Sequence, residues 1–270
     1  MSDQDILGLL PSVLDIAEQL NIKVLIGVLK TDVPAMLTCI RQLARFANHS
    51  AAVGFTVCPP KGSSLTQHEI SSALRQVLNL GFPTALYQLP QVTQNEMSPE
   101  LVQSLADEFP NFYLFKDTSG YDRVALVGLQ SNVFMVRGSE KNGYSQWLRA
   151  SGGPYDGFLL STANVLAKEL ASIIHLLSSG RRDEAVRMSE KIADLVTRAF
   201  AIVQDFQVGN AFSNTNKALD HHRAFGLRAA EYPPPLLYSG TRLPNSFIEQ
   251  AAQLLSEHGL QREVGYCLDI

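Results

Sequence analysis

The chain predicts an α/β protein of repeated strand–helix units, followed by a region that is helical throughout. Three observations predict it. Apolar, strand-like runs are centred near Ile26, Phe55, Leu86, Leu114, Met135 and Phe158, at intervals of about 20 to 32 residues, as crossover-linked parallel strands require. A helical pattern fills each interval. After about residue 162 the strand-like runs stop and amphipathic helical patterns take over.

Taken in order, Ile6, Leu9, Leu10, Val13, Leu14, Ala17 and Leu20 recur at helical spacing over residues 5–20, with Pro11 expected in a first turn or at a break. Lys23–Leu29 is continuous and apolar, a strand expected to be buried on both faces. Asp32 and Pro34 open a helix ending at Ala47. Ala51–Val57 is the next strand, and Cys58–Gly62 a loop. Thr66 and Glu69 stand at capping-box spacing, starting a helix to Leu80. Thr84–Leu89 is a strand stopped by Pro90. Ser98 and Pro99 are an N-cap and first helical residue for a helix to Phe109. Further strands are expected at Phe112–Lys116, Val133–Arg137 and Tyr155–Leu160, with helices at Tyr121–Leu129 and Lys141–Ala150. Helices over residues 163–204 are divided at Ser178-Ser179-Gly180, and the remainder is helical around the loop at Pro233-Pro234-Pro235.

Repeated right-handed crossovers give a parallel sheet, doubly wound or closed into a barrel. No Gly-x-Gly-x-x-Gly follows the first strand, which favours the barrel. The fold class is therefore α/β of the (β/α)8 TIM-barrel type. Six strands are recognisable where a closed barrel has eight. Residues 1–162 are expected to form an N-terminally incomplete barrel, and residues 163–270 a helical region packed on it.

Composition excludes several function classes. The 270 residues are 46% hydrophobic and 18% charged, with a formal net charge of −4. The slight acidity and dispersed basic residues argue against nucleic acid. No apolar run approaches the roughly 20 residues that span a bilayer. The opening Met1-Ser2-Asp3-Gln4-Asp5 lacks a signal peptide's basic segment. Cys39, Cys58 and Cys267 are far apart and form no close-spaced metal pair, so reduced thiols and a cytoplasmic location are expected.

Lys116 is the leading candidate for chemistry. It ends the apolar run from Phe112, and strand alternation puts it on the face of Phe112 and Leu114. Apolar surroundings lower a lysine's pKa, and the neutral amine is the form that attacks a carbonyl. The competing reading is a strand-end lysine whose head reaches water.

Two strands carry a family resemblance. Ala85–Pro90 resembles the tyrosine strand, and Phe115–Gly120 the lysine strand, of the dihydrodipicolinate synthase/N-acetylneuraminate lyase family. Val24–Val28 resembles its third barrel strand, and Gly153–Val165 its last strand and helix start. Residues 185–255, including Asn216-Lys217-Ala218-Leu219, resemble its helical C-terminal region. The resemblance implies a (β/α)8 barrel, a homo-oligomer (tetramer or dimer), and a class I aldolase or lyase acting on pyruvate or another 2-oxo acid. Lys116 would form a Schiff base with the ketone, and Tyr87 would move protons. Such chemistry needs neither metal nor organic cofactor. Arg137 would offer a planar fork to a carboxylate. Gly138 would lie at the pocket floor, its missing side chain leaving room. Leu159 and Ser161, after the last strand, would complete the substrate-binding set.

Departures from the family limit the substrate. The carboxylate-binding Gly-Thr-Thr-Gly-Glu-like loop has no counterpart in this chain. The match starts near the second helix, so the first two strands would precede Met1. Val92 stands where the synthase has an arginine for its dicarboxylate partner, and Pro59-Pro60-Lys61 replaces its loop tyrosine. These changes argue against dihydrodipicolinate synthesis itself. The alternative is a non-catalytic or truncated member serving as a binding or structural subunit. Among weaker signals, adjacent His221 and His222 point away from each other on a helix and read as structural. Ser161-Thr162-Ala163-Asn164 reads as a helix start with capping hydroxyls. Gly138–Gly143 lacks a phosphate-loop pattern. Trp147 is expected on a helix, in core or interface.

Overall fold

The structure, a computed structural model, describes residues 3–268. Its first compact unit holds the strand–helix repeats up to Ser139 together with Pro154–Phe158; a second combines Glu140–Gly153 with the chain from Leu159 on.

The repeats run α1 (Asp3–Gln19), β1 (Val24–Val28), α2 (Val33–Leu43), β2 (Ala52–Val57), α3 (Gln67–Leu78), β3 (Thr84–Gln88), α4 (Pro90–Thr93), α5 (Pro99–Glu108), β4 (Phe112–Asp117), α6 (Arg123–Val127), β5 (Phe134–Arg137) and β6 (Gly157–Phe158). All six strands pair in parallel, in the order of the chain. Local signals set the helix starts. Asp32 accepts a hydrogen bond from the Ala35 amide at 2.9 Å, Ser98 caps α5 through the Leu101 amide, and Thr66 with Glu69 closes a full capping box on α3. Each satisfies amides that the first helical turn leaves without partners.

Side-chain alternation gives this sheet two unlike faces. On one, Ile26, Val28, Phe55, Val57, Leu86, Phe115 and Met135 are all 3% exposed or less. The other carries Leu25, Thr56, Tyr87, Leu114 and Lys116, all half-buried, with Ala85 and Val136 buried and Gly27 and Phe134 exposed. The expectation that β1 is buried on both faces is therefore corrected: Gly27 points to the open one. The helix α1 keeps Leu9, Val13 and Ile16 exposed while burying Leu10, Leu14 and Ala17. That helix also runs straight through Pro11, which lies neither in a first turn nor at a break.

Three further expectations change. Lys141–Ala150 forms two 3-10 turns, Ser145–Trp147 and Arg149–Ser151, instead of a helix. Asn142 and Gly143 adopt positive φ (61° and 72°), and a Cβ on Gly153 would lie 2.3 Å from the Trp147 backbone, so the chain turns where a helix would continue. Trp147 is accordingly half-buried on a turn, its indole donating to the Asn142 carbonyl at 3.3 Å. The helix predicted over Tyr121–Leu129 is only α6, bounded by Asp122 at φ 55° and Gly128 at φ 81°. The last strand pairs only at Gly157 and Phe158.

The second unit contains α7 (Ala163–Ser178), α8 (Arg182–Val203), α9 (Ala211–Phe225) and α10 (Asn245–Glu257). Ile192, Leu195, Val196, Leu219 and Leu255 form its core. Arg223 on α9 holds Glu169 on α7 at 2.7 Å, both largely buried. His221 and His222 bond the carbonyls of Ala229 and Ile248, each at 2.8 Å. The Ser189 hydroxyl on α8 accepts the amides of Tyr144 and Ser145. No described helix is long and apolar enough to cross a membrane.

Candidate active site

Lys116 is the fifth residue of β4, near its carboxyl end. In the sheet register it stands beside Tyr87 of β3 and Val136 of β5, so all three share the more open face. The Lys116 Nζ sits 4.2 Å from the centre of the Tyr87 ring, within the range over which an aromatic face attracts a cation. Both side chains are half-buried.

Gly138, just past β5, is locked into the same place. A Cβ there would fall 2.7 Å from Lys116 Cε and 2.4 Å from Thr118 Cγ2. Its missing side chain thus makes room for the lysine stem and for Thr118. Its amide donates to the Asp117 carbonyl at 2.7 Å, fixing the approach.

Two further residues lie near this group: Cys58, which no motif announced, and Thr118, which falls within the lysine-strand motif but was not singled out there. Cys58 directly follows β2; because Val57 pairs with Leu86, Cys58 lies alongside Tyr87. It is 3% exposed, and burial pushes its thiol up to about 12, against the pull of the Lys116 charge. Thr118 donates its hydroxyl to the Gln88 carbonyl at 2.6 Å and its amide to the same oxygen at 3.0 Å. Burial raises the Tyr87 pKa, and Thr118 opposes that rise. The phase of the β2 strand pointed to Cys58, but the register that sets it beside Tyr87 is a tertiary property.

Arg137 does not join them. It is fully buried, and its guanidinium clasps Asp122 through Nε at 2.9 Å and Nη2 at 3.0 Å, with Nη1 donating to the Ser139 carbonyl. Tyr155 donates to the same Asp122 carboxylate at 2.6 Å. In register Arg137 pairs with Asp117, not Lys116, which places it on the opposite face of the sheet. The carboxylate it was expected to take from a substrate is supplied by the protein. Leu159 and Ser161 belong to the second unit. Leu159 is 40% exposed, and Asn216 donates to both the hydroxyl and the carbonyl of Ser161. The Thr162 hydroxyl bonds Glu140 instead of capping α7.

Comparison with known proteins places this geometry. Residues 2–214 match the Dihydrodipicolinate synthetase family. The chain belongs to that family. A 4-hydroxy-tetrahydrodipicolinate synthase from Nitratiruptor sp. is 26% identical over 157 residues, 57% of this chain and 52% of that protein. One from Sodalis glossinidius is 30% identical over 166 residues, 59% of this chain and 54% of that protein. The chain therefore spans about half the length of these curated relatives. Among solved structures, dihydrodipicolinate synthase from Bacteroides thetaiotaomicron has a TM-score of 0.74 at 17% identity, covering 95% of this chain and 82% of its own. YagE of E. coli K12, a family protein solved in complex with pyruvate, has a TM-score of 0.70 at 17% identity, covering 96% and 83%. These likenesses give the dihydrodipicolinate synthetase family's TIM-barrel fold, here with six of its strands.

Proposed function

We propose that this family member is a Schiff-base aldolase or lyase acting on pyruvate or a related 2-oxo acid. The observation that carries the reading is Lys116, near the carboxyl end of β4 on the more open sheet face, with its Nζ over the Tyr87 ring. Carboxyl strand ends are where parallel α/β folds assemble their chemistry. In its neutral form the amine attacks the keto carbon; a C–N bond forms, and the carbonyl oxygen leaves as water after taking up two protons. The resulting iminium accepts the electron pair of the adjacent C–H or C–C bond, so that bond breaks, or in reverse forms. The Tyr87 hydroxyl moves the protons this requires. The chemistry needs no metal or organic cofactor.

Val92 and Pro59-Pro60-Lys61 stand in place of groups that serve the synthase's second substrate, which supports a different electrophilic partner for the enamine. We place the protein in the cytoplasm as a homo-oligomer on the family's habit. The alternative reading is a non-catalytic binding or structural subunit.

Borohydride trapping separates the two. With pyruvate and a panel of 2-oxo acids, the expected result is a reduced adduct mapped to Lys116 and absent from Lys116→Ala. Folded wild-type protein that traps none of these acids would overturn the enzyme reading.

A further inference from the structure

The registers that set Tyr87 beside Lys116 order the more open face into two rows. One runs Tyr87, Lys116, Val136 and Gly157 across β3 to β6. The other runs Gly27, Thr56, Ala85, Leu114 and Phe134 across β1 to β5. In β3, β4 and β5 the second row lies two residues before the first, about 6.6 Å toward the amino ends of the strands. This second row is apolar apart from the Thr56 hydroxyl. Leu114 is half-buried and Phe134 is 48% exposed. Small residues leave space around them. A Cβ on Gly157 would lie 3.8 Å from Phe134 Cε1, so the ring rests against the β6 backbone, and a Cβ on Gly27 would meet nothing within 4 Å. A single exposed apolar side chain is ordinary. An exposed ring on the strand next to Lys116, one row away from it, borders the reacting group.

The chemistry of the two rows selects an occupant. Lys116 is their only charged side chain. A 2-oxo acid with an apolar tail complements them: its carboxylate and ketone suit the lysine, and its tail suits Leu114 and Phe134. A protein surface laid across the same rows would have to cover the lysine charge, which is costly. We propose that Leu114 and Phe134 receive the substituent of the 2-oxo acid, and that this substituent is branched aliphatic or aromatic, larger than the methyl of pyruvate. With the keto carbon bonded to Lys116 Nζ, a group of benzyl size spans one row spacing. Its burial removes apolar area from water on the ligand and on Phe134 alike. The assignment rests on the Schiff-base reading of Lys116 and names a substrate class for it.

Borohydride trapping on the full chain tests it, with pyruvate, 4-methyl-2-oxopentanoate and phenylpyruvate, each below saturation. Each rate is divided by that of Nα-acetyl-lysine with the same acid, which removes the acid's intrinsic reactivity, and adducts are mapped to Lys116. Both larger acids are expected to trap faster than pyruvate by roughly tenfold or more. Phe134→Gln should lower the ratio of phenylpyruvate to pyruvate on the order of tenfold, and Phe134→Leu, which keeps the position apolar, should retain most of it. If the glutamine variant does not fold, Phe134→Thr removes the ring with a strand-forming residue and the same outcomes apply. Larger acids that trap no faster than pyruvate, a ratio unmoved by loss of the ring, or a leucine variant that loses as much as glutamine would overturn the assignment. Trapping of pyruvate on Lys116 would leave the Schiff-base reading standing in each of those cases. Folded wild type that traps none of the three acids overturns both.

Discussion

Lys116 and Asp117 are adjacent in β4, yet they live in opposite environments. Lys116 shares the more open face with Tyr87, and both are half-buried. Asp117 points to the closed face, fully buried, in register with the equally buried Arg137. The period of two in a strand thus divides a single dipeptide between chemistry and architecture. On the open face, Lys116 meets the Tyr87 ring. On the closed face, charges are consumed internally: Arg137 by Asp122, and Asp122 also by Tyr155. A charged residue near the end of a strand is therefore no guide to function until its face is known.

The strongest way to break this contrast is to cut the closed-face ion pair. Arg137→Met leaves the Asp122 carboxylate buried with its main counter-charge gone, and removing one partner of such a pair costs about 3–5 kcal/mol. Urea unfolding should show that loss. The double variant Arg137→Met/Asp122→Asn should recover much of it, since a neutral amide tolerates burial better than an unpaired carboxylate. Lys116→Met, one position before Asp117, should lose the borohydride adduct and change stability by about 0.5 kcal/mol or less. If Arg137→Met left stability untouched and weakened pyruvate binding, Arg137 would belong to the open face after all.

Gly138 sharpens the contrast next, because it touches the open face from behind. Gly138→Ala places a methyl 2.7 Å from Lys116 Cε and 2.4 Å from Thr118 Cγ2. Overpacking of this kind costs about 1–3 kcal/mol, and the lysine stem must move. The trapping rate with pyruvate should fall by more than the stability loss explains, roughly tenfold or more, since small misplacements of a reacting group are costly. Stopped-time borohydride assays on protein shown to be folded by circular dichroism check this. Unchanged trapping would mean that Lys116 is not seated against Gly138.

Much of this was legible in the sequence because it is local or periodic. The strand order followed from apolar runs spaced by helices, and the starts of α2, α3 and α5 from Asp32, Thr66 and Ser98, whose side chains bond amides three residues on. Lys116 and Tyr87 were legible as motifs, while the face they share follows from the register of β3 and β4. The fate of Arg137 was not: its partner Asp122 lies 15 residues away in a turn whose left-handed backbone has no clear sequence signature. Cys58 and Thr118 were hidden for the same reason. One depends on strand register, the other on the Gln88 carbonyl, and pairing between distant segments decides both. The predicted helix at Lys141–Ala150 failed where helical periodicity was overruled by Asn142, Gly143 and Gly153, whose backbones turn and crowd the chain.

The smallest expected effect concerns Asp117 itself and asks whether the closed face is fully compensated. One of its carboxylate oxygens accepts the Ser119 amide at 2.8 Å; the other is buried with no hydrogen-bond partner among the described residues. Burial raises its pKa, the nearby Asp122 and Glu96 push the same way, and the Ser119 bonds oppose them. The folded protein then holds this proton more tightly than the unfolded chain, whose aspartates titrate near 3.9. Between that value and the raised native one, stability falls as pH increases; above both, the whole penalty is present. Asp117→Asn removes the ionisation and keeps an oxygen for the Ser119 amide. It should stabilise the protein at neutral pH, with the advantage shrinking toward zero as the pH is lowered to about 4. Urea unfolding of both proteins across that range, at constant ionic strength, measures the difference. A loss of stability at neutral pH would show instead that the Asp117 charge supports the Arg137 pair, and that the closed face keeps its charges for cohesion as well as burial.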